Sequence, residues 1–271
     1  MPVSSPSVSV TRDVTFRETD SNSLELDVYR PTDGGDRPAI VFLYGGEWRG
    51  GRKGRFARWA LSFADRGYVC LEPTYRLADE TTLDGMVTDV KTALAWTRAN
   101  ASDLGVDPDR VAVAGHSAGA HLALLAAVTP DDDATGPVDV EATPEVAAAI
   151  GFSGVYDLRG SGEADPHDGD GHDVIGGEGT ARARRAAAVS PVTRVGSSAP
   201  PTFLAHARDD DVVPVSTSES MVDALQTADA PVRTFFPDSG GHEFLFSTWC
   251  VETAMARTAD FLEGTAVRPH S

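Results

Sequence analysis

Gly115-His116-Ser117-Ala118-Gly119 follows an apolar run, 111–114, and opens directly into a second apolar segment. A serine becomes a nucleophile when it is held at a sharp strand-to-helix turn, and that turn demands small residues on both sides. The helix N-terminus beyond it favours a developing anion through its free N–H groups and its dipole. A tetrahedral oxyanion also needs donors. Tyr44-Gly45-Gly46-Glu47-Trp48 follows another apolar run, 39–43, where paired glycines let backbone N–H groups converge. The N–H groups of Gly46 and Glu47, with that of Ala118, are therefore assigned to the oxyanion hole. His242 lies in a glycine-flanked loop, Gly240-Gly241-His242, and is the candidate general base. The orienting carboxylate comes from Asp209, Asp210 or Asp211, which are adjacent; it must be partly buried and accept the imidazole N–H.

Of the other histidines, His116 and His121 are expected to pack around the nucleophile helix, and His206 to be structural at a strand end. His167 and His172 fall in an acidic stretch and His270 in the tail.

These residues need a scaffold that brings them to one edge. Alternating or continuous apolar runs predict strands at 13–18, 24–29, 39–43, 68–71, 110–114, 147–152, 202–206 and 232–236. Helical spacing covers 56–66, 83–99, 118–127, 216–228 and 248–262. The first two strands form a hairpin, and the later β-α alternation argues a mainly parallel sheet of about eight strands with helices on both faces. The fold class is α/β, a single domain over 11–271 behind a flexible tail, 1–10. A short lid-like excursion at 160–189, with a short helix near 181–189, interrupts the rhythm.

The formal charge is −18, and Lys53 and Lys91 are the only lysines. Such a surface repels nucleic acid and anionic membranes, so neither is an expected partner. Carboxylates this dense suit high salt, where their mutual repulsion is screened. Molar potassium chloride is accordingly expected to raise the melting midpoint, as the Debye length falls from about 10 Å at 0.1 M to about 3 Å at 1 M. A flat or falling midpoint would contradict the halophilic reading.

No run is long enough for a transmembrane helix, no signal-peptide pattern opens the chain, and Cys70 and Cys250 do not suggest a disulfide framework. A cytoplasmic enzyme is expected. Asp165 to Asp173 carries two imidazoles and several carboxylates, but lacks EF-hand or zinc spacing and reads as a solvated loop. No phosphate loop or dinucleotide fingerprint occurs, so no cofactor and no metal are expected.

Taken in order, Tyr44 to Trp48, Pro108 to Gly119, His206 to Pro214 and Gly241-His242 resemble the hormone-sensitive-lipase-like and BD-FAE-like carboxylesterases, a group that includes arylformamidases. The resemblance spans about 39–262 and implies an α/β-hydrolase fold, in which the triad runs in the order Ser, Asp, His. Asp210-Asp211-Val212-Val213-Pro214 fits the family's Asp-x-x-Val-Pro pattern, which places the acid at Asp210. It also implies that the excursion covers the acyl or alcohol pocket. Two departures stand out: Tyr44 replaces the usual histidine, and Glu47 sets a carboxylate beside the oxyanion donors.

The implied activity is hydrolysis of small carboxylic esters through an acyl-enzyme on Ser117. Arylformamidase (N-formylkynurenine hydrolysis) is the runner-up, because Thr82 to Val87 and Gly115 to Leu122 look like that subgroup. A serine peptidase would need an accessory domain to select peptides, and a non-catalytic binding protein would normally have lost a triad member. The expected partner is a small-molecule ester or amide.

Overall fold

A computed structural model describes residues 7–20, 22–132, 138, 140–159 and 174–269. Eight strands form one sheet: β1 (Val8–Glu18), β2 (Ser23–Pro31), β3 (Arg37–Leu43), β4 (Val69–Pro73), β5 (Val106–His116), β6 (Ala148–Phe152), β7 (Thr202–Ala205) and β8 (Val232–Phe235). Their order is β1-β2-β4-β3-β5-β6-β7-β8. The β1–β2 and β2–β4 pairs are antiparallel, and every pair from β4–β3 to β7–β8 is parallel.

Side chains of a strand alternate between faces, and the core divides accordingly. Val41, Val111, Val113 and Leu204 enter one apolar cluster with α2 (Leu83–Ala99), α4 (Ala118–Val128) and α6 (Ser216–Thr227). Ile40, Phe42, Ala112, Ala114 and Ile150 enter the other, with α1 (Ala57–Asp65) and α7 (Val251–Glu263). α4 is apolar all round, as befits a helix buried from Ala118 to Ala127. A short α3 (Ala101–Leu104) was not expected, and α5 (Gly179–Ala188) is the helix expected near 181–189.

Most strand boundaries differ from expectation by one or two residues, and two strands start four or five residues earlier. β1 starts at Val8, so Val8 to Val10 pair with β2 and are not part of a flexible tail. Its register shifts between Thr11 and Val14 and again between Thr15 and Arg17, with Asp13 at φ +55°. Bulges of this kind break the two-residue alternation by which a strand is recognised. β5 starts at Val106: Arg37 pairs with Val106 and Ala39 with Val111, so the expected Asp107-Pro108-Asp109 turn is an irregularity inside the strand. Residues 1–6, the whole acidic stretch at 160–173 including His167 and His172, and His270 lie outside the described residues.

Candidate active site

Ser117 stands between the end of β5 and the first residue of α4. Its backbone is at φ +55°, ψ −122°, a region L-residues avoid at a cost of about 1–3 kcal/mol. The flanking glycines make this turn possible. A Cβ on Gly115 would collide with the Gly119 backbone, and a Cβ on Gly119 would collide with the carbonyls of Leu43 and Tyr44. The Ser117 N–H donates to the Phe152 carbonyl of β6 at 2.9 Å, which ties the turn to the sheet.

The side chains named from sequence meet here. Ser117 Oγ lies 3.0 Å from His242 Nε2, and His242 Nδ1 lies 2.8 Å from Asp210 Oδ2. Asp210 is the member of the aspartate triplet whose side chain is buried, at 0 % exposure, whereas Asp209 and Asp211 are exposed. Its other oxygen, Oδ1, accepts the N–H groups of Val212 and Val213 at 3.0 and 2.9 Å. Burial opposes ionisation of Asp210, but the hydrogen bonds from His206, His242 and the Val213 N–H outweigh it. They hold the carboxyl far below the ordinary carboxylate range.

Three supports have partners that the sequence did not indicate. Fully buried His206 has its Nε2 2.9 Å from the Val213 carbonyl and 3.0 Å from Asp210 Oδ2. A carbonyl only accepts, so Nε2 carries the proton and Nδ1 accepts from Ser218 Oγ at 2.8 Å. His206 is therefore structural, as expected, and what it structures is the acid. Asp209 Oδ1 accepts the Gly241 N–H at 2.8 Å and holds the loop that carries His242. His116 Nε2 donates to the His242 carbonyl at 3.0 Å. Burial, then the neighbouring His242, lowers the His116 pKa to about 3, so this imidazole stays neutral.

The Gly-Gly loop is equally constrained. Glu47 and Trp48 both have positive φ, +56° and +60°, and the Gly46 carbonyl accepts from the N–H groups of Arg49 and Gly50. Trp48 Nε1 donates to His121 Nδ1 at 3.3 Å, and His121 Nε2 donates to the Val189 carbonyl at 2.7 Å. Buried His121, its pKa lowered to about 4 by burial, thus joins this loop to α4 and to the end of the excursion. Tyr44, which stands where the family has histidine, stacks on Tyr75 with ring centroids 4.5 Å apart. Its hydroxyl lies 3.4 Å from both the N and the O of Tyr75, while Tyr75 Oη donates to the Tyr44 carbonyl at 2.8 Å. The phenol pair buttresses the loop from below.

Gly45, Gly46 and Glu47 line a cleft of about 640 Å³ together with Ser117 and His242. Ala118 opens α4, so its N–H is one of those a helix leaves without an intrahelical acceptor. Among the described residues no group of His, Cys, Asp and Glu is arranged to hold a metal ion, and the 165–173 stretch lies outside them. Nor is any described helix long and apolar enough to cross a membrane.

A mostly parallel eight-stranded sheet with a strained serine at the β5–α4 turn defines the α/β-hydrolase fold. Within it the chain belongs to the BD-FAE family, whose model matches residues 26–225. It is 37% identical over 221 residues to the probable carboxylic ester hydrolase LipM of Mycobacterium tuberculosis, covering 76% of this chain and 50% of that protein. Esterase LipQ of the same organism is 32% identical over 247 residues, with 88% and 58% covered. The chain thus spans about half the length of the curated relatives it matches. The propionate-bound structure of a thermophilic esterase from Thermogutta terrifontis superposes with a TM-score of 0.81 at 26% identity, covering 100% of this chain and 98% of that one. Another structure, of Thermogutta terrifontis esterase 2 phosphoramylated by tabun, matches equally well, with a TM-score of 0.81.

Proposed function

We propose that this protein is a carboxylic ester hydrolase acting on small esters through Ser117, His242 and Asp210. The hydrogen-bonded line from Asp210 through His242 to Ser117, ending in an open cleft, carries the reading. His242 Nε2 takes the serine proton as Oγ attacks the ester carbonyl, and Asp210 keeps Nδ1 protonated and stabilises the imidazolium. The oxyanion is met by the N–H groups of Gly46, Glu47 and Ala118. The imidazolium then protonates the departing alcohol, and an acyl group remains on Ser117. Water, deprotonated by the same imidazole, releases the acid and restores the serine. Sequence likeness to esterases and structural likeness to an esterase that is phosphoramylated by tabun both support this chemistry. We also place the enzyme in the cytoplasm, a setting that suits two buried cysteines left as free thiols.

The test compares a short p-nitrophenyl ester with N-formylkynurenine. The ester is expected to show the higher kcat/KM. A clear preference for N-formylkynurenine would move the assignment to arylformamidase, and inertness toward both would remove it.

A further inference from the structure

We infer that the cleft is built for esters whose non-reacting end carries a carboxylate, and that Arg52 receives it. The inference rests on the ester-hydrolase reading above and adds a substrate class to it.

Besides the two histidines, Glu47, Arg52, Arg55 and Glu243 are the acidic and basic side chains that line the cleft. Arg55 and Glu243 neutralise each other in an ion pair, and the Arg55 guanidinium also lies over the Phe246 ring, 4.1 Å from its centroid. Glu47 has an interaction of its own within the protein. Arg52 makes no hydrogen bond, ion pair or ring contact with any described residue. Other arginines on the open surface are engaged in different ways: Arg58 pairs with Glu252 at 2.7 Å and Arg208 with Glu219 at 3.4 Å, whereas Arg66 and Arg257 lie over the rings of Phe63 and Phe235.

The backbone on either side of Arg52 is fixed, so its location is not an accident of a loose loop. Gly51 has φ +104°, and a Cβ there would run into the Tyr44 ring and the Gly45 carbonyl. Lys53 is clamped by Asp27 at 2.7 Å, by Asp13, and by Glu25 at 3.6 Å. Buried Glu72 on β4 accepts the N–H groups of Phe56 at 2.7 Å and Gly54 at 3.1 Å through one oxygen. Asp13, Glu25 and Asp27 thus face Lys53, the residue next to Arg52. An exposed guanidinium carried on a constrained stretch of backbone at the cleft, and without a partner among the described residues, can offer its planar fork to the two oxygens of a carboxylate.

The experiment measures kcat/KM for mono-p-nitrophenyl glutarate and for p-nitrophenyl pentanoate, a neutral ester of similar length, and follows their ratio. Arg52→Gln is expected to lower the glutarate-to-pentanoate ratio by roughly five- to tenfold, chiefly through KM, and Arg52→Lys to give an intermediate value. Arg58→Gln removes the same charge from an exposed residue that does not line the cleft and already pairs with Glu252, and it should move the ratio by less than about twofold, because exposed charges are screened by 0.1 M salt. An unchanged ratio in Arg52→Gln, or an equal fall in Arg58→Gln, overturns the inference and leaves the ester-hydrolase reading standing. A wild-type protein inert toward both esters instead removes that reading, and the inference with it.

Discussion

Replacing Ser117 with alanine is expected to lower kcat for ester hydrolysis by about a million-fold, leaving only the turnover that binding and oxyanion stabilisation provide by themselves. The size of the loss follows from the division of labour. Without Oγ no acyl-enzyme forms, and His242 Nε2 has no attacking atom 3.0 Å away to deprotonate. The fold should survive. Alanine already has the Cβ that serine carries at φ +55°, so backbone strain does not increase, and the close contacts of this turn belong to Gly115 and Gly119. The Ser117 N–H keeps its bond to the Phe152 carbonyl. A melting curve close to wild type with abolished turnover is the expected pair of results. Substantial residual activity in a folded variant would show that another group attacks the ester.

Asp210→Asn is expected to lower kcat by about ten-thousand-fold, and the hydrogen-bond count around this side chain explains why an amide cannot stand in for it. Oδ2 faces the ring N–H groups of His242 and His206, and Oδ1 faces the backbone N–H groups of Val212 and Val213. Every position around the carboxylate is occupied by a donor. An amide nitrogen at Oδ2 would force His242 to accept on Nδ1, putting its proton on Nε2 and leaving nothing to receive the serine proton. Turned over, the amide would set its N–H bonds against Val212 and Val213. Either way a buried donor is left unmatched, so stability should also fall, by about 1–3 kcal/mol.

The neighbours behave differently. Asp211 is exposed and its side chain makes no hydrogen bond or ion pair with a described residue, so Asp211→Asn should be nearly silent. Asp209→Asn keeps an amide oxygen able to accept the Gly241 N–H, and its loss should be modest. The three variants are best compared at one high salt concentration, with melting curves to separate catalytic loss from unfolding. A crippled Asp209 or Asp211 variant, or full activity in all three, would place the acid elsewhere.

Much of this arrangement was legible in the chain because it is local. A nucleophile turn is written in nine consecutive residues, 111–119, since the glycines that make the turn possible are neighbours of the serine they serve. Strands buried on both faces declare themselves as continuous apolar runs, as at 39–43. The order of serine, acid and base follows from the order in which parallel strands deliver their loops to one edge of the sheet. Choosing Asp210 from three adjacent aspartates took the family pattern, because period and composition are the same for all three.

What only the tertiary structure decided depends on which segments become neighbours. β4 inserts between β2 and β3, and this puts Glu72 beneath the 54–56 backbone, while Lys53 reaches Asp27 on β2. No local pattern reports such a pairing, because the residues involved share no helix face or strand register. His116 supports the backbone of His242 across 126 positions of sequence, and Asp209 supports Gly241 across 32. Val8 to Val10 read as a tail because bulges in β1 break the alternation that a strand otherwise displays. The amino-acid order determines short-range geometry through periodicity and backbone sterics, whereas hydrogen bonds between distant polar groups exist only once the hydrophobic core has set the sheet order.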